Sequence, residues 1–157
     1  MAQTTTAHSW EWKPSAFANA MVSALLHTPI LHRVISNQIL LLSFTGRKSG
    51  KRYAIPVGYI RDGQTVRILT KWFRGWWRNF QVAAPVELLI EGKHYYGTAK
   101  ALTDEVSSIA ALTIAIKKYP YNADFYGIRL TAPNQANMDD VRYIAPKVVV
   151  LQIELAK

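Results

Sequence analysis

The residues with the most chemical potential in this chain sit in one short turn, Gly46-Arg47-Lys48-Ser49-Gly50-Lys51. Three cations and a hydroxyl stand between and beside two glycines, so backbone N–H groups and positive charge converge on one spot. Such a spot can hold a phosphate or another compact anion. The same composition also suits a plain polar hairpin turn, because Lys, Ser and Gly are ordinary turn residues. A further cation, Lys71, follows Thr70 at the end of another β-rich run. Aromatics gather in two more places: Trp72, Trp76 and Trp77, then Tyr119, Tyr121, Phe125 and Tyr126. Any one of these is ordinary core material; two clusters lying outside strands can wall a flat aromatic ligand.

The rest of the chemical repertoire is sparse. There is no cysteine, which excludes disulfides, thiolate metal sites and cysteine nucleophiles. The four histidines (His8, His27, His32 and His94) are scattered, and none has a metal-ligand spacing. Asp139 and Asp140 are neighbours in a polar stretch that reads as solvated, and no Gly-x-Ser-x-Gly elbow or zinc-binding His-Glu pattern occurs. Metal: none is expected. Flat walls and anion donors without an acid–base pair suit a bound redox cofactor, which brings the difficult chemistry with it.

These residues belong to a chain of 157, half of it hydrophobic, enough for one domain with a real core. Lys and Arg outnumber Asp and Glu by 19 to 10, a formal charge of +9. That balance favours an anionic partner: a polyanionic small molecule, a membrane surface or nucleic acid. No nucleic-acid-binding motif accompanies the charge, so nucleic acid is not expected. The first residues lack the basic-then-apolar order of a secretory signal, and no run approaches the length of a membrane span. The expectation is a cytoplasmic protein, with peripheral membrane contact and a homodimer both compatible with the sequence.

Periodicity places the motifs. Pro14 can open a helix over about 14–27, and a shorter one fits about 29–37, with Phe17, Met21, Ala24 and Leu25 forming an apolar stripe. From Ile39 the period changes. Runs 39–45, 52–60, 65–71, 86–91, 94–102 and 147–155 are β-branched or aromatic and are bounded by the turn signals GRKSGK, RDGQ and EGK. Evenly spaced strands of this kind predict an antiparallel barrel rather than a parallel sheet. The tryptophan segment is expected as a loop and short helix closing one barrel end, stopped by Pro85. Thr103 or Asp104 can cap a predicted helix to about Lys118 whose buried face is Val106, Ile109, Ala110, Thr113 and Ile116. An aromatic loop or short irregular helix then spans 119–126, and 133–143 reads as a helical turn or two. The whole is one α+β domain, 1–157, with its barrel over about 39–155.

Taken together, LLLSFTGRKSGKRYAIPVGYIRDGQTVRIL, TKWFRGWWRNF, APVELLIEGKHYYGTA and KKYPYNADFY resemble the deazaflavin-dependent nitroreductase family of split β-barrel flavin and deazaflavin oxidoreductases. The similarity spans about residues 39–126 plus the closing strand. It implies a split β-barrel, FMN-binding-like, antiparallel and six-stranded with flanking helices. It also implies the reduced deazaflavin coenzyme F420 as hydride donor, FMN being the alternative. The family's basic turn, which grips the cofactor's phosphate and acidic tail, falls on Arg47, Lys48, Ser49 and Lys51. Pro56, Val57 and Gly58 would line the ring through backbone groups. Thr70 and Lys71 match a hydroxyl–lysine pair near ring and phosphate, and Trp76 and Asn79 match the W-x-x-N of a capping helix. Tyr119 matches the tyrosine of a Y-P motif on the substrate side, a candidate proton donor, with Asn122, Phe125 and Tyr126 continuing that wall.

The implied reaction is hydride transfer to a flat, electron-poor small molecule: a quinone, nitroaromatic or enone. The competing readings are an FMN-dependent oxidoreductase and a non-catalytic barrel carrying a fatty acid or another apolar ligand. Two departures matter. Relatives carry Pro-Arg after the turn where this chain has Arg52-Tyr53, and one residue's displacement in a strand turns a side chain to the opposite face. The family's Y-x-x-Y-x-x-Y is here Tyr119, Asn122 and Phe125, which removes two hydroxyls from the substrate wall.

Overall fold

The computed structural model describes residues 38–157, so the two helices expected over 14–37 lie outside the described residues. The strands are β1 (Ile39–Thr45), β2 (Arg52–Gly58), β3 (Ile60–Asp62), β4 (Thr65–Lys71), β5 (Ala84–Ile90), β6 (Lys93–Leu102) and β9 (Val148–Leu155), with a small hairpin of β7 (Leu130–Ala132) and β8 (Gln135–Ala136). Three helices are α1 (Glu105–Lys118), α2 (Asn122–Tyr126) and α3 (Met138–Ile144). Two 3₁₀ turns, Trp72–Arg74 and Trp76–Phe80, fill the tryptophan segment.

All pairings in the main sheet are antiparallel, in the order β2-β1-β5-β6-β9-β4-β3. The two edge strands, β2 and β3, are consecutive in the chain, separated by Tyr59 alone. The stretch predicted as one strand, 52–60, therefore leaves one edge of the curled sheet and joins the other. With β2 and β3 taken as one bent strand, the six strands of the expected split barrel are all present. The break at Tyr59 is where the sheet's two edges part.

Alternation along each strand divides the apolar residues between two cores. Leu40, Leu42, Phe44, Val66, Ile68, Leu88, Val149, Leu151 and Ile153 point into the barrel, and Trp77 and Phe80 plug it. On the outer face, Leu112 and Ile116 of α1 pack with Ala123, Val141 and Val148 into a second core. The last strand serves both cores, as its continuous apolar start predicts. The Asp104 carboxylate accepts from the Ser107 N–H at 2.8 Å, so of the two caps the sequence allows, Thr103 and Asp104, it is Asp104 that caps α1.

The buried face of α1 is only in part the predicted one: Ile116 is buried and Ile109 packs against the outer core, but Val106 and Ala110 are exposed. Ser108, Ala111, Leu112, Ala115 and Ile116 are buried, and Val106 is 77% exposed. Several apolar stripes could be drawn on this Ala- and Ile-rich helix. The observed stripe wins because its alanines allow close approach and because Ser108 Oγ donates to the Val148 carbonyl at 2.9 Å. Pro85 likewise does not stop the tryptophan segment, whose last turn ends at Phe80. It is the second residue of β5, ahead of that strand's pairing with β1, where a missing N–H is harmless. No described helix is long and apolar enough to cross a membrane.

Candidate active site

A cavity of about 380 Å³ opens where the barrel edges part. One wall is the crossing segment, Pro56, Val57, Gly58, Tyr59 and Ile60, with Gln38 and Ile39 beside it. The floor is the end of β4: Leu69, Thr70 and Lys71. Arg74 and Trp76 close one side, and Ala115, Tyr119, Tyr121, Asn122, Phe125 and Tyr126 form the helical wall. Among these lining residues there is no carboxylate.

The polar atoms of the cavity are of three kinds. Thr70 is buried, and its Oγ1 has no hydrogen-bond partner among the described residues. Its position on the inward face of β4, in register with Val149, fixes it there. A buried hydroxyl without a partner costs about 1–3 kcal/mol, a cost that a ligand able to hydrogen-bond with it would remove. The second kind is cationic. The Lys71 ammonium lies 4.7 Å from the Phe125 ring centre, and burial first, then the neighbouring Arg74 charge, lowers its pKa. The third kind is phenolic. Burial pushes the Tyr126 hydroxyl up to about 12, with Arg74 pulling the other way. Tyr59 is also raised to about 12, by burial and then by the charge of Glu91, and burial raises Tyr121. Such tyrosines stay protonated at neutral pH and act as hydrogen-bond donors.

The sequence-predicted residues divide into two groups. Pro56, Val57, Gly58, Thr70, Lys71, Trp76, Tyr119, Asn122, Phe125 and Tyr126 meet in the cavity. Arg47, Lys48, Ser49, Lys51 and Asn79 do not line it; the turn caps the end of the β1–β2 hairpin opposite Pro56–Gly58. Nor does the turn offer the full set of N–H donors its composition suggests. Gly46 N–H donates to the Lys51 carbonyl, Gly50 N–H to the Gly46 carbonyl, and Lys51 N–H to Ser49 Oγ. The Arg47 N–H donates to Asn79 Oδ1 at 2.8 Å. Among the described residues, the N–H groups of Lys48 and Ser49 are the ones left open. The cationic side chains remain exposed, and none has an ion-pair partner among the described residues.

Asn79 connects the two ends. Its Nδ2 donates to the Trp76 carbonyl at 2.7 Å while its Oδ1 holds the turn, so a cavity wall and the basic turn share one 3₁₀ segment. Tyr53 covers the turn: its ring stacks on Phe44 with 5.7 Å between centroids, and its hydroxyl meets Ser49 Oγ at 3.2 Å. A side chain at Gly46 would collide with both, at 2.6 Å from Ser49 Oγ and 2.7 Å from the Tyr53 ring. Arg52, on the other face of the strand, pairs with Glu87, which also contacts His94. That is the turned-away orientation the displaced arginine predicts.

Two aromatic assignments change. Trp77 is core, 1% exposed, with Nε1 donating to the Trp72 carbonyl at 2.8 Å. Trp72 points away from the cavity. Asn122 is a wall residue with its own structural task, its Nδ2 donating to the Ala115 carbonyl at the end of α1. Sequence reasoning missed Tyr59 and Arg74. Tyr59 was legible only as strand, and Arg74 was hidden among tryptophans.

The F420H(2)-dependent quinone reductase family model matches residues 20–124 of this chain. The chain belongs to that family. Membership makes it an F420-dependent reductase, and a cavity with aromatic walls, an orphaned hydroxyl and no carboxylate among its described lining residues fits such a cofactor. Two solved structures, the first two of the three that follow, agree on the fold. A Listeria innocua protein described as a candidate pyridoxamine 5′-phosphate oxidase is 14% identical, with a TM-score of 0.51 over 88% of this chain and 94% of that one. A domain-swapped dimer is 18% identical, with a TM-score of 0.53 over 90% of this chain and 100% of that one. An F420-H2 dependent reductase is 20% identical, with a TM-score of 0.48 over 74% and 94%. Comparison with curated proteins gives no significant match.

Proposed function

We propose that this F420-dependent reductase acts on a flat, electron-poor acceptor, foremost a quinone, then an enone or nitroaromatic, in the cavity between the parted barrel edges. When bound, reduced F420 supplies a hydride; the rest falls to this chain's side chains. Thr70 Oγ1, Lys71 and the backbone of Pro56–Gly58 hold the ring end of the cofactor. Arg47, Lys48 and Lys51 attract its acidic tail, each well-formed charge-assisted contact contributing about 1.5–3 kcal/mol. A cavity of about 380 Å³ suits a ring system but not the tail as well, so a separate tail site outside it is consistent with the turn's position.

Tyr119, Asn122, Phe125 and Tyr126 form the acceptor wall. Their rings orient a flat substrate and keep water from the reacting atoms, which must come within roughly 3–3.5 Å. Tyr126, kept protonated by burial, donates a hydrogen bond rather than a proton. Tyr119, at the cavity edge, or solvent supplies the proton that completes the reduction. The observation that carries this reading is Thr70: a buried hydroxyl that, among the described residues, has no partner and no cavity-lining acid to satisfy it.

The test is acceptor-dependent oxidation of reduced F420, followed by absorbance, with menadione, a cyclic enone and a nitroaromatic compared. Consumption fastest with menadione is expected. Tight F420 binding with none of the three acceptors consumed refutes the acceptor assignment. The domain-swapped dimer among its fold relatives makes a homodimer the proposed assembly, measurable by light scattering.

A further inference from the structure

The 3₁₀ turn after β4 distributes its three side chains unequally. Trp72 and Phe73 line a neighbouring groove, whereas Arg74 lines the cavity beside Lys71 and Tyr126. The chain then reverses at Gly75, φ 59, and returns as the segment that carries Trp76. Arg74 has no ion-pair partner among the described residues, and the acids of the helical layer are placed elsewhere. Asp124 and Asp140 line the neighbouring groove, which Lys71, Phe125 and Tyr126 also border but Arg74 does not, and Asp140 is committed to Arg129 at 2.7 Å. Lys71 and Arg74 are like charges lining one cavity, and the described residues that line it include no carboxylate; burial first, and then the Arg74 charge, lowers the Lys71 pKa. The arrangement becomes favourable when negative charge enters.

From this juxtaposition, and resting on the acceptor reading above, we infer that Arg74 is a specificity-determining residue that selects acceptors carrying or developing an anionic oxygen next to the reducible ring. Hydride addition to the carbon β to a conjugated carbonyl moves the π pair onto the carbonyl oxygen. The product is an enolate, which takes one proton from solvent; with a quinone, hydride delivered to one carbonyl oxygen instead gives the hydroquinone monoanion directly, and that too takes one proton from solvent. The donor loses two electrons with the hydride and the acceptor gains them. The Arg74 guanidinium stands beside the phenol of Tyr126, so a cation and a neutral hydrogen-bond donor face the oxygen together. A carboxylate on the acceptor would use the same pair before any reaction occurs.

Binding alone tests this without turnover. Cofactor-free protein is titrated calorimetrically with 1-hydroxy-2-naphthoate and with its neutral analogue 1-hydroxy-2-naphthamide. Arg74→Met is expected to weaken naphthoate binding about tenfold or more, the worth of one charge-assisted contact, and to change naphthamide binding less than twofold. Arg74→Lys keeps most of the preference. Equal weakening of both ligands overturns the inference, as does an unchanged naphthoate affinity in Arg74→Met. So does a tenfold loss of F420 affinity with the naphthoate preference intact, which would assign Arg74 to the cofactor. If the naphthoate contrast holds but no acceptor is reduced, the role of Arg74 stands and the acceptor assignment alone fails.

Discussion

The two ends of the β1–β2 hairpin are built on opposite plans. At one end, Gly46–Lys51 displays its charges on the surface and satisfies most of its backbone internally, with Asn79 and Tyr53 bracing it. At the other, Pro56–Ile60 forms part of a cavity that leaves Thr70 unsatisfied and draws two cations together. The turn is stable without a ligand. The cavity stores unfavourable terms that a ligand relieves. Mutations should therefore separate the two ends: the turn through affinity alone, the cavity through affinity and stability in opposite directions.

The largest effect should erase the contrast. Leu42, wholly buried on β1, supports both ends, and Leu42→Ala should cost about 2–5 kcal/mol in denaturant unfolding while weakening cofactor and acceptor binding together. Next, Lys48→Glu should weaken F420 binding by about 1.5–3 kcal/mol, roughly ten- to hundredfold by fluorescence titration, with an unchanged melting temperature. Equal damage to folding would mean that the turn's charge is structural.

Thr70→Val sharpens the comparison from the cavity side. Replacing the orphaned hydroxyl with a methyl should stabilise the cofactor-free protein by about 1–3 kcal/mol and yet reduce its F420 affinity. A loss of stability would mean that the hydroxyl has a partner after all. The smallest effect is in pH. Burial and Arg74 lower the Lys71 pKa from 10.5, so the ammonium loses its proton sooner than an ordinary lysine. Anion binding needs the charged form; naphthoate affinity in the cavity should thus decline as pH rises, beginning below 10.5. Lys71→Arg should move that decline to higher pH, measured by the same calorimetry.

Much of this was legible along the chain because the signals are local. Strand boundaries followed the period-two runs, Asp104 announced its helix, and the turn chemistry of Gly46–Lys51 located a hairpin end. The ten cavity residues found in advance came from motif order rather than periodicity, which cannot say what a loop faces. The errors have one cause. The face of α1, the burial of Trp77, the strand position of Pro85 and the cavity position of Arg74 all depend on what another segment presents at the point of contact.

The sequence by itself determined the alternation that builds the barrel, the two cores served by the last strand, and the cationic turn, since each follows from neighbours within a few residues. Tertiary structure alone decided that one strand would bridge both sheet edges at Tyr59, that Asn79 would couple the turn to a cavity wall, and that Thr70, Lys71 and Arg74 would share one cavity. Those outcomes rest on long-range pairing, β4 against β9 above all, whose partners lie some eighty residues apart, a distance over which no local pattern carries information.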